Sequence, residues 1–138
     1  MRGVFFYIAI AVLVIITVGA AIFMLAIYPG IKEQAAVRKM TINEVHLSAM
    51  NDGTYPGDFT YGGFTYKVEV VVRDRRIELI NILHDRGDSD YARKAEGVID
   101  RVIKAQSLQV DAVTGATTTS KALLKAIENA LTAGKRWQ

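Results

Sequence analysis

The sequence of 138 residues contains no cysteine and only two prolines. The absence of cysteine excludes disulfides, thiolate metal ligands, cysteine nucleophiles and a lipid-modified cysteine anchor. Neither charge dominates: the formal net charge is +3, and basic residues are interspersed with acidic ones in RDRRIE and DRGDSDYARKAE. This mixing predicts a solvated surface and argues against a nucleic-acid partner.

Charge is missing altogether from one long apolar run, Val4 to Tyr28. As an α-helix this run extends about 37 Å, enough to cross a hydrocarbon layer of about 30 Å with some tilt. It is too long for the apolar core of a signal peptide, and no small-x-small cleavage motif follows it. The rest of the chain is too short to bury it as a soluble helix. We therefore predict a transmembrane anchor over residues 1–30, ended by the pair Pro29-Gly30.

The orientation of this anchor does not follow from its flanking charges. Arg2 and the amino terminus precede it, and Lys32, Arg38 and Lys39 follow it, so the positive-inside rule gives no clear answer. We predict that residues 31–50 form a helical or extended stalk without chemistry of its own. Residues 51–138 are predicted to form the folded domain.

Strand patterns begin after Asn51, where turn formers and aromatic residues accumulate. Asp52-Gly53 and Gly62-Gly63 mark turns or bulges around a short strand, which Pro56 places at a sheet edge. The next segment predicts a hairpin that turns at Asp74-Arg75. Its apolar positions are Tyr66, Val68, Val70 and Val72 on the first strand, and Ile77, Leu79 or Ile80, Ile82 and Leu83 on the second.

Two later segments have helical spacing. The first begins after a cap at Ser89 or Asp90, and the second covers Lys121 to Ala133 with Gly134 just past its end. Their apolar stripes are Tyr91, Ala95, Val98, Ile99, Val102 and Ile103, and Leu123, Leu124, Ile127, Ala130 and Leu131. The predicted class is therefore α+β: a small antiparallel sheet with two helices packed on it, preceded by one N-terminal transmembrane helix.

A hydroxyl-rich stretch, TGATTTS from Thr114 to Ser120, leads into the last helix. A helix N-terminus presents unpaired N–H groups and a partial positive charge, so it binds anions, phosphate above all. Gly115 permits a tight turn and close approach of a ligand, and the small Ala116 keeps the site open. These residues fit an ordinary helix cap and an anion site equally well. A P-loop is excluded, because no Gly-Lys-Ser/Thr follows the glycine.

The heptapeptide DAVTGAT, Asp111 to Thr117, resembles the flavinylation motif of the FMN-binding domain family. That motif is an Asp, two variable residues, Ser or Thr, and then Gly-Ala-Thr. DGTYPGDF resembles the family's opening strand, YGGFTYKVEVVVRDRRIELINILHD its hairpin and AQSLQVDAVTGATTTSKALLKAIENAL its closing segment. The chain departs from the family at the hairpin turn, where Asp-Arg replaces Asp-Gly. It departs again after His84-Asp85, where RGDSD replaces a Glu-Thr-Pro-Gly-like stretch.

The resemblance implies a covalent cofactor. A separate flavin transferase, using FAD and Mg²⁺, would move FMN onto Thr117 through a phosphoester. Asp111 would help the transferase engage the threonine, through its metal or by orienting the hydroxyl. The cofactor-binding residues implied at this loop are Asp111, Thr114, Gly115, Ala116, Thr117 and Thr118.

The isoalloxazine ring requires a flat apolar surface and a few hydrogen bonds. Tyr61, Phe64 and Leu83 are candidate walls, and Gly62-Gly63 would let the ring approach the backbone. His84 follows the second hairpin strand and is a candidate flavin contact. Each of these residues also has a simpler interpretation, with the aromatic rings in the core and the histidine on the surface.

The resulting hypothesis is a single-pass cell-membrane flavoprotein that carries electrons from a membrane donor to a downstream acceptor. The family includes peripheral subunits of the Rnf and Na⁺-translocating NADH:quinone reductase complexes and small membrane-tethered proteins, and it implies an extracytoplasmic domain. No segment suggests a substrate pocket with its own acid–base pair, so we expect a redox carrier and assign no catalytic residues or metal ligands. The alternatives are a subunit of an Rnf/Nqr-like complex, and a cofactor-free tethered binding or scaffold domain.

Overall fold

The computed structural model describes residues 1–83 and 90–135. Its sheet has three antiparallel strands in the order β1-β2-β3: Gly53–Tyr61, Phe64–Arg73 and Arg76–Ile82. The helices are α1 (Arg2–Ile22), α2 (Tyr28–Lys39), α3 (Asp90–Ala105) and α4 (Thr117–Lys135), with a π-helical turn at Phe23–Ile27 and a 3₁₀ turn at Leu47–Ala49. This confirms the predicted α+β class with a long apolar helix at the N-terminus.

The apolar helix does not end at Pro29-Gly30, so that prediction was wrong. Helical structure continues from Arg2 to Lys39 over 38 residues. Pro29 lies in the first turn of α2, where its missing N–H is tolerated. The preceding π-helical turn accommodates the proline within a continuous helix. In this turn the Tyr28 N–H donates to the carbonyl of Phe23, five residues back. The helix is long and apolar enough to span a membrane, and its most apolar window is not buried against the domain.

The three predicted strands form, but Leu83, predicted on the second hairpin strand, lies beyond β3 and is 51 % exposed. Pro56 lies on β1, an edge strand, as its missing donor requires. The alternating apolar residues of the central strand β2, from Tyr66 to Val72, are buried. At the β2–β3 turn, Asp74 and Arg75 both have positive φ, 50° and 60°. This is the backbone of a type I′ hairpin turn, in which arginine occupies a position that glycine usually fills.

A β-bulge decides which residues of β3 face the core. Val71 pairs with Leu79 and Val72 pairs with Ile77, so one extra residue, Glu78, lies between them. Because of this irregularity Ile77 and Ile80 are both buried, whereas Leu79 is 47 % exposed.

The apolar stripes of α3 and α4 are confirmed wherever the structure describes their side chains. The prediction that Gly134 follows the end of α4 was wrong, since the helix continues to Lys135. Gly134 is required for packing instead. A Cβ placed on it would lie 2.4 Å from Cδ1 of Tyr55, so only glycine lets the Tyr55 ring rest on this turn of α4.

The stalk segment, residues 31–50, packs against the domain. Its apolar residues Val37, Ile42, Val45 and Met50 belong to the same buried core as the sheet and α4. Two carboxylates hold the segment on the domain by hydrogen bonds. Glu128 of α4 accepts from Asn43, and Glu44 of the segment accepts from the loop after α3. The C-terminal end of α2 is therefore fixed to the domain.

Both carboxylates have a lowered pKa. Burial raises the pKa of Glu128, but hydrogen bonds from Lys125 and from the Asn43 side chain and backbone outweigh it. For Glu44, burial likewise raises the pKa, and donors that include the Ser107 hydroxyl outweigh it. In both cases the net shift is downward from the ordinary value of 4.5.

We expect acid to destabilise the domain through these two groups. A carboxyl whose pKa is lower in the folded state contributes stability that is complete above its unfolded pKa and is lost as the pH falls through its folded pKa. The melting temperature, followed by circular dichroism in detergent micelles, should therefore decline below about pH 4.5. Glu128→Gln should lower the unfolding free energy by about 1–2 kcal/mol at neutral pH.

That deficit should shrink on acidification, because the wild-type carboxyl also becomes neutral. Glu78→Gln is the matched control, since its carboxylate pairs with Arg73 on the exposed hairpin and such pairs contribute little. A Glu128→Gln deficit equal at pH 3 and pH 7 would contradict the assignment.

Candidate functional site

The threonine loop, residues 111–117, turns sharply before α4. The Ala116 N–H donates to the Val113 carbonyl at 3.0 Å, which closes a β-turn over Thr114 and Gly115. Gly115 has φ +82°, a left-handed value that suits glycine at the third position of a turn. A Cβ added to Gly115 would meet nothing within 4 Å, so the turn has open space beside it.

The first turn of α4 has backbone N–H groups that find no acceptor among the described residues. The Ala116 carbonyl accepts the Ser120 N–H at 2.9 Å, which makes Ala116 the N-cap residue, and its side chain has no oxygen to offer. The backbone N–H groups of Thr117, Thr118 and Thr119 donate to none of the described residues. The interpretation of the hydroxyls as helix caps is therefore wrong, and the free N–H groups are those that an anion needs.

The hydroxyl side chains have different environments. Ser120 is fully buried, and its Oγ accepts the Val113 N–H at 3.1 Å, which fixes the turn against the helix. Thr119 is also buried, and Thr118 Oγ1 accepts a hydrogen bond from another segment. Thr114 and Thr117 are exposed, and within residues 1–83 and 90–135 no group bonds the Thr117 hydroxyl. Thr117 therefore combines an open hydroxyl with the free donors of the helix start.

Two arginines reach the loop, and neither was predicted from the sequence. Arg38 of α2 donates from Nε to Thr118 Oγ1 at 2.8 Å. Arg101 of α3 donates from Nη1 to the carbonyls of Asp111 and Ala112 at 2.7 and 3.2 Å. The Asp111 residue itself is exposed. Arg101 thus holds the loop through its backbone and leaves the Asp111 carboxylate accessible to solvent.

The candidate flavin walls differ in exposure. Tyr61 is only 8 % exposed, and its ring stacks on Tyr66 with centroids 5.4 Å apart and planes 1° apart. Tyr61 is thus mainly a core residue, with one ring face already covered. Phe64 packs edge-on against Tyr66 at 4.9 Å. Leu83 is 51 % exposed at the end of β3, and His84 lies outside the described residues.

The β1–β2 turn and the threonine loop lie at the same end of the domain. β1 and α4 run in opposite directions, because Tyr55 contacts Gly134 whereas Gly57 contacts the segment 126–130. Tyr61 lies four residues beyond Gly57, or about 13 Å along a strand. A helix covers the same length of about 13 Å in roughly nine residues, which leads from the middle of segment 126–130 back to the first turn of α4. Tyr61 is therefore level with the first turn of α4.

α2 contacts both sides of this end. Glu33 accepts the Gly62 N–H at 2.9 Å, beside the turn, and Arg38 bonds Thr118, beside the loop. The turn glycines Gly62 and Gly63 have positive φ, and a Cβ on either would meet nothing within 4 Å. The site is thus bordered by the glycine turn, the threonine loop and α2.

Comparison with known proteins identifies the family of the chain. Residues 61–132, just over half of the chain, match the FMN-binding domain family. An uncharacterized protein of Treponema pallidum (strain Nichols) is 35 % identical over 83 residues, which are 59 % of this chain. The chain spans only about a quarter of that curated relative, 23 % of its length. The matched region contains the glycine turn, the hairpin and the threonine loop, and the chain belongs to the FMN-binding domain family.

Proposed function

We propose that the protein is a membrane-anchored electron-transfer flavoprotein that carries FMN on Thr117 through a phosphoester. Membership of the FMN-binding domain family supports the cofactor. The observation that carries the attachment site is the Thr117 hydroxyl, which is exposed and unbonded within the described chain at the first position of α4.

The residues at the loop fit a phosphodiester. Such a group keeps one negative charge, and the free N–H groups of residues 117–119 provide donors for it. The positive end of the α4 dipole adds about 0.3–1 kcal/mol at an exposed site. The open space beside Gly115 leaves room for the phosphate oxygens.

Attachment by the transferase balances as a substitution at phosphorus. Thr117 Oγ1 forms a bond to the FMN phosphorus of FAD, the bond from that phosphorus to the bridging oxygen breaks, and AMP leaves. The hydroxyl proton passes to a base of the transferase or to water. The exposure of Asp111 supports a role for it in engaging the transferase, through the enzyme's metal or by orienting the threonine hydroxyl. The protein gains the mass of FMN less one water.

The ring of the cofactor would lie towards the glycine turn. Gly62 and Gly63 leave open space there, the exposed Leu83 offers apolar surface, and Tyr61 lines the end of β1. When bound, FMN supplies reversible electron transfer, and the chain contributes position and electrostatics. The covalent bond keeps the flavin on a domain that would otherwise lose it by dilution.

The structure also favours a partner at the membrane. From Tyr28, at the end of the apolar run, to Arg38 the helix rises about 15 Å. Arg38 contacts Thr118, the residue after Thr117, so we infer that the proposed cofactor lies close to the membrane surface. We propose a membrane donor and a downstream acceptor that reach the flavin there. An extracytoplasmic position is supported by the family resemblance, since the transferase works on that side.

The proposal is tested with the full chain, produced with and without a flavin transferase. With the transferase, we expect a fluorescent band on a denaturing gel and an intact mass raised by FMN less one water. Without it, both signals should be absent. A colourless protein of unmodified mass, recovered from cells that modify a known flavinylated protein, would reject the carrier function and favour a cofactor-free tethered domain.

A further inference from the structure

We propose that Arg38, on the helix that continues from the membrane-spanning segment, binds the phosphate of the FMN carried by Thr117. This inference rests on the proposed function. It makes α2 part of the cofactor site, although α2 lies outside residues 61–132, which match the family.

The first observation is an incompletely used guanidinium beside the acceptor. Arg38 Nε donates to Thr118 Oγ1 at 2.8 Å, and Thr118 is the neighbour of Thr117. Thr117 and Thr118 are adjacent residues at the start of α4, and a guanidinium fork presents five N–H donors. Among the residues that the structure describes, Arg38 forms no ion pair and no other hydrogen bond. Its remaining donors are free for an anion.

The second observation is that the backbone on both sides of the exposed Arg38 is held in place. The preceding residue, Val37, is 5 % exposed in the core, and the Met40 N–H closes the helix end on the Val37 carbonyl at 3.2 Å. Five residues after Arg38, Asn43 donates from its backbone N–H and its side chain to the buried Glu128. Contacts on both sides therefore fix the approach of α2 to α4, which is the support a binding residue needs.

The two arginines of the loop have different roles. Arg101 Nη1 is occupied by the carbonyls of Asp111 and Ala112, which lie before the turn. Arg38 contacts a neutral hydroxyl, which is a weaker acceptor than a charged phosphate oxygen. Addition of a phosphodiester at Thr117 should therefore recruit Arg38 and leave Arg101 unchanged. Arg101 serves as an internal control.

Nuclear magnetic resonance of the ¹⁵N-labelled full chain in detergent micelles tests this inference on the wild-type protein. Guanidinium N–H signals are compared before and after flavinylation, and intact mass establishes that FMN is attached. The Arg38 signals are identified as those lost in Arg38→Gln, so that variant does not itself need to accept the flavin. We expect the Arg38 signals to shift downfield and exchange more slowly with water after flavinylation, while the Arg101 signals remain in place.

The outcomes separate the two proposals. If the mass shows FMN on the protein but the Arg38 signals do not move, or move no more than those of Arg101, the role of Arg38 is overturned and the carrier function stands. If no FMN is attached in the presence of the transferase, the proposed function fails and this inference fails with it.

Discussion

Thr117→Ala should abolish covalent FMN and leave the domain folded. The substitution removes the one hydroxyl that is exposed at the first position of α4 and unbonded within the described chain. Without that oxygen no phosphoester can form at this position. Because the side chain lies on the surface, the unfolding free energy should change by no more than about 0.5 kcal/mol. Intact mass and denaturing gel fluorescence measure the attached FMN, and a thermal melt of the same preparation measures the stability.

The neighbouring threonines provide matched controls. Thr118→Ala removes the acceptor of Arg38, and Thr119→Ala removes a buried hydroxyl, yet both leave the Thr117 oxygen intact. Both variants should become flavinylated. Thr117→Ser restores the hydroxyl and should accept FMN again. An adduct that persisted in Thr117→Ala would assign the bond to a different oxygen.

The environments of the hydroxyls explain why one of them is singled out. Ser120 and Thr119 are buried, and Ser120 already accepts a backbone N–H. A transferase would have to unfold the first turn of α4 to reach either of them. Thr117 needs no such rearrangement, and its product charge would lie on the free N–H groups of the same turn.

The sequence predicted those parts of the fold that depend on local periodicity. Alternation of apolar residues identified β2, and its buried residues, such as Tyr66 and Val70, are those predicted. It could not choose between Leu79 and Ile80, because that choice depends on a bulge set by pairing with β2. Pro29 and Gly134 were misjudged for a related reason. Local rules treat both as helix breakers, whereas a π-helical turn accommodates the first and the Tyr55 ring requires the second.

The candidate site was predictable in the same partial way. The threonine loop is a continuous motif, so residues 111–117 could be identified before any contact was known. Arg38 and Glu33 could not, since Arg38 meets Thr118 across 80 positions of sequence and Glu33 meets Gly62 across 29. Their stretch was assigned to a stalk without chemistry. The apolar residues Val37, Ile42 and Val45 in that stretch were the available signal that it packs on the domain.

Gly57→Ala should destabilise the domain strongly, although it adds only one methyl group. Gly57 lies where β1 crosses α4, and a Cβ on it would be 2.4 Å from the Ala126 carbonyl oxygen and 2.5 Å from the Ala130 backbone nitrogen. These are backbone atoms of a helix and cannot move aside as a side chain can. Strand and helix must separate, which we expect to lower the unfolding free energy by about 3 kcal/mol. Urea unfolding of the full chain in micelles, followed by circular dichroism, measures this loss.

Gly53→Ala makes the same chemical change on the same strand and isolates the steric effect. A Cβ on Gly53 would be 3.6 Å from the Tyr55 hydroxyl oxygen, an ordinary contact, so this variant should match the wild type within about 0.5 kcal/mol. Both substitutions remove the same backbone freedom from the unfolded chain, so their difference reports the clash against α4. Equal stability of the two variants would show that β1 and α4 do not approach as closely as the structure indicates. The placement of Tyr61 level with the first turn of α4 would then be in question, because it is deduced from that crossing.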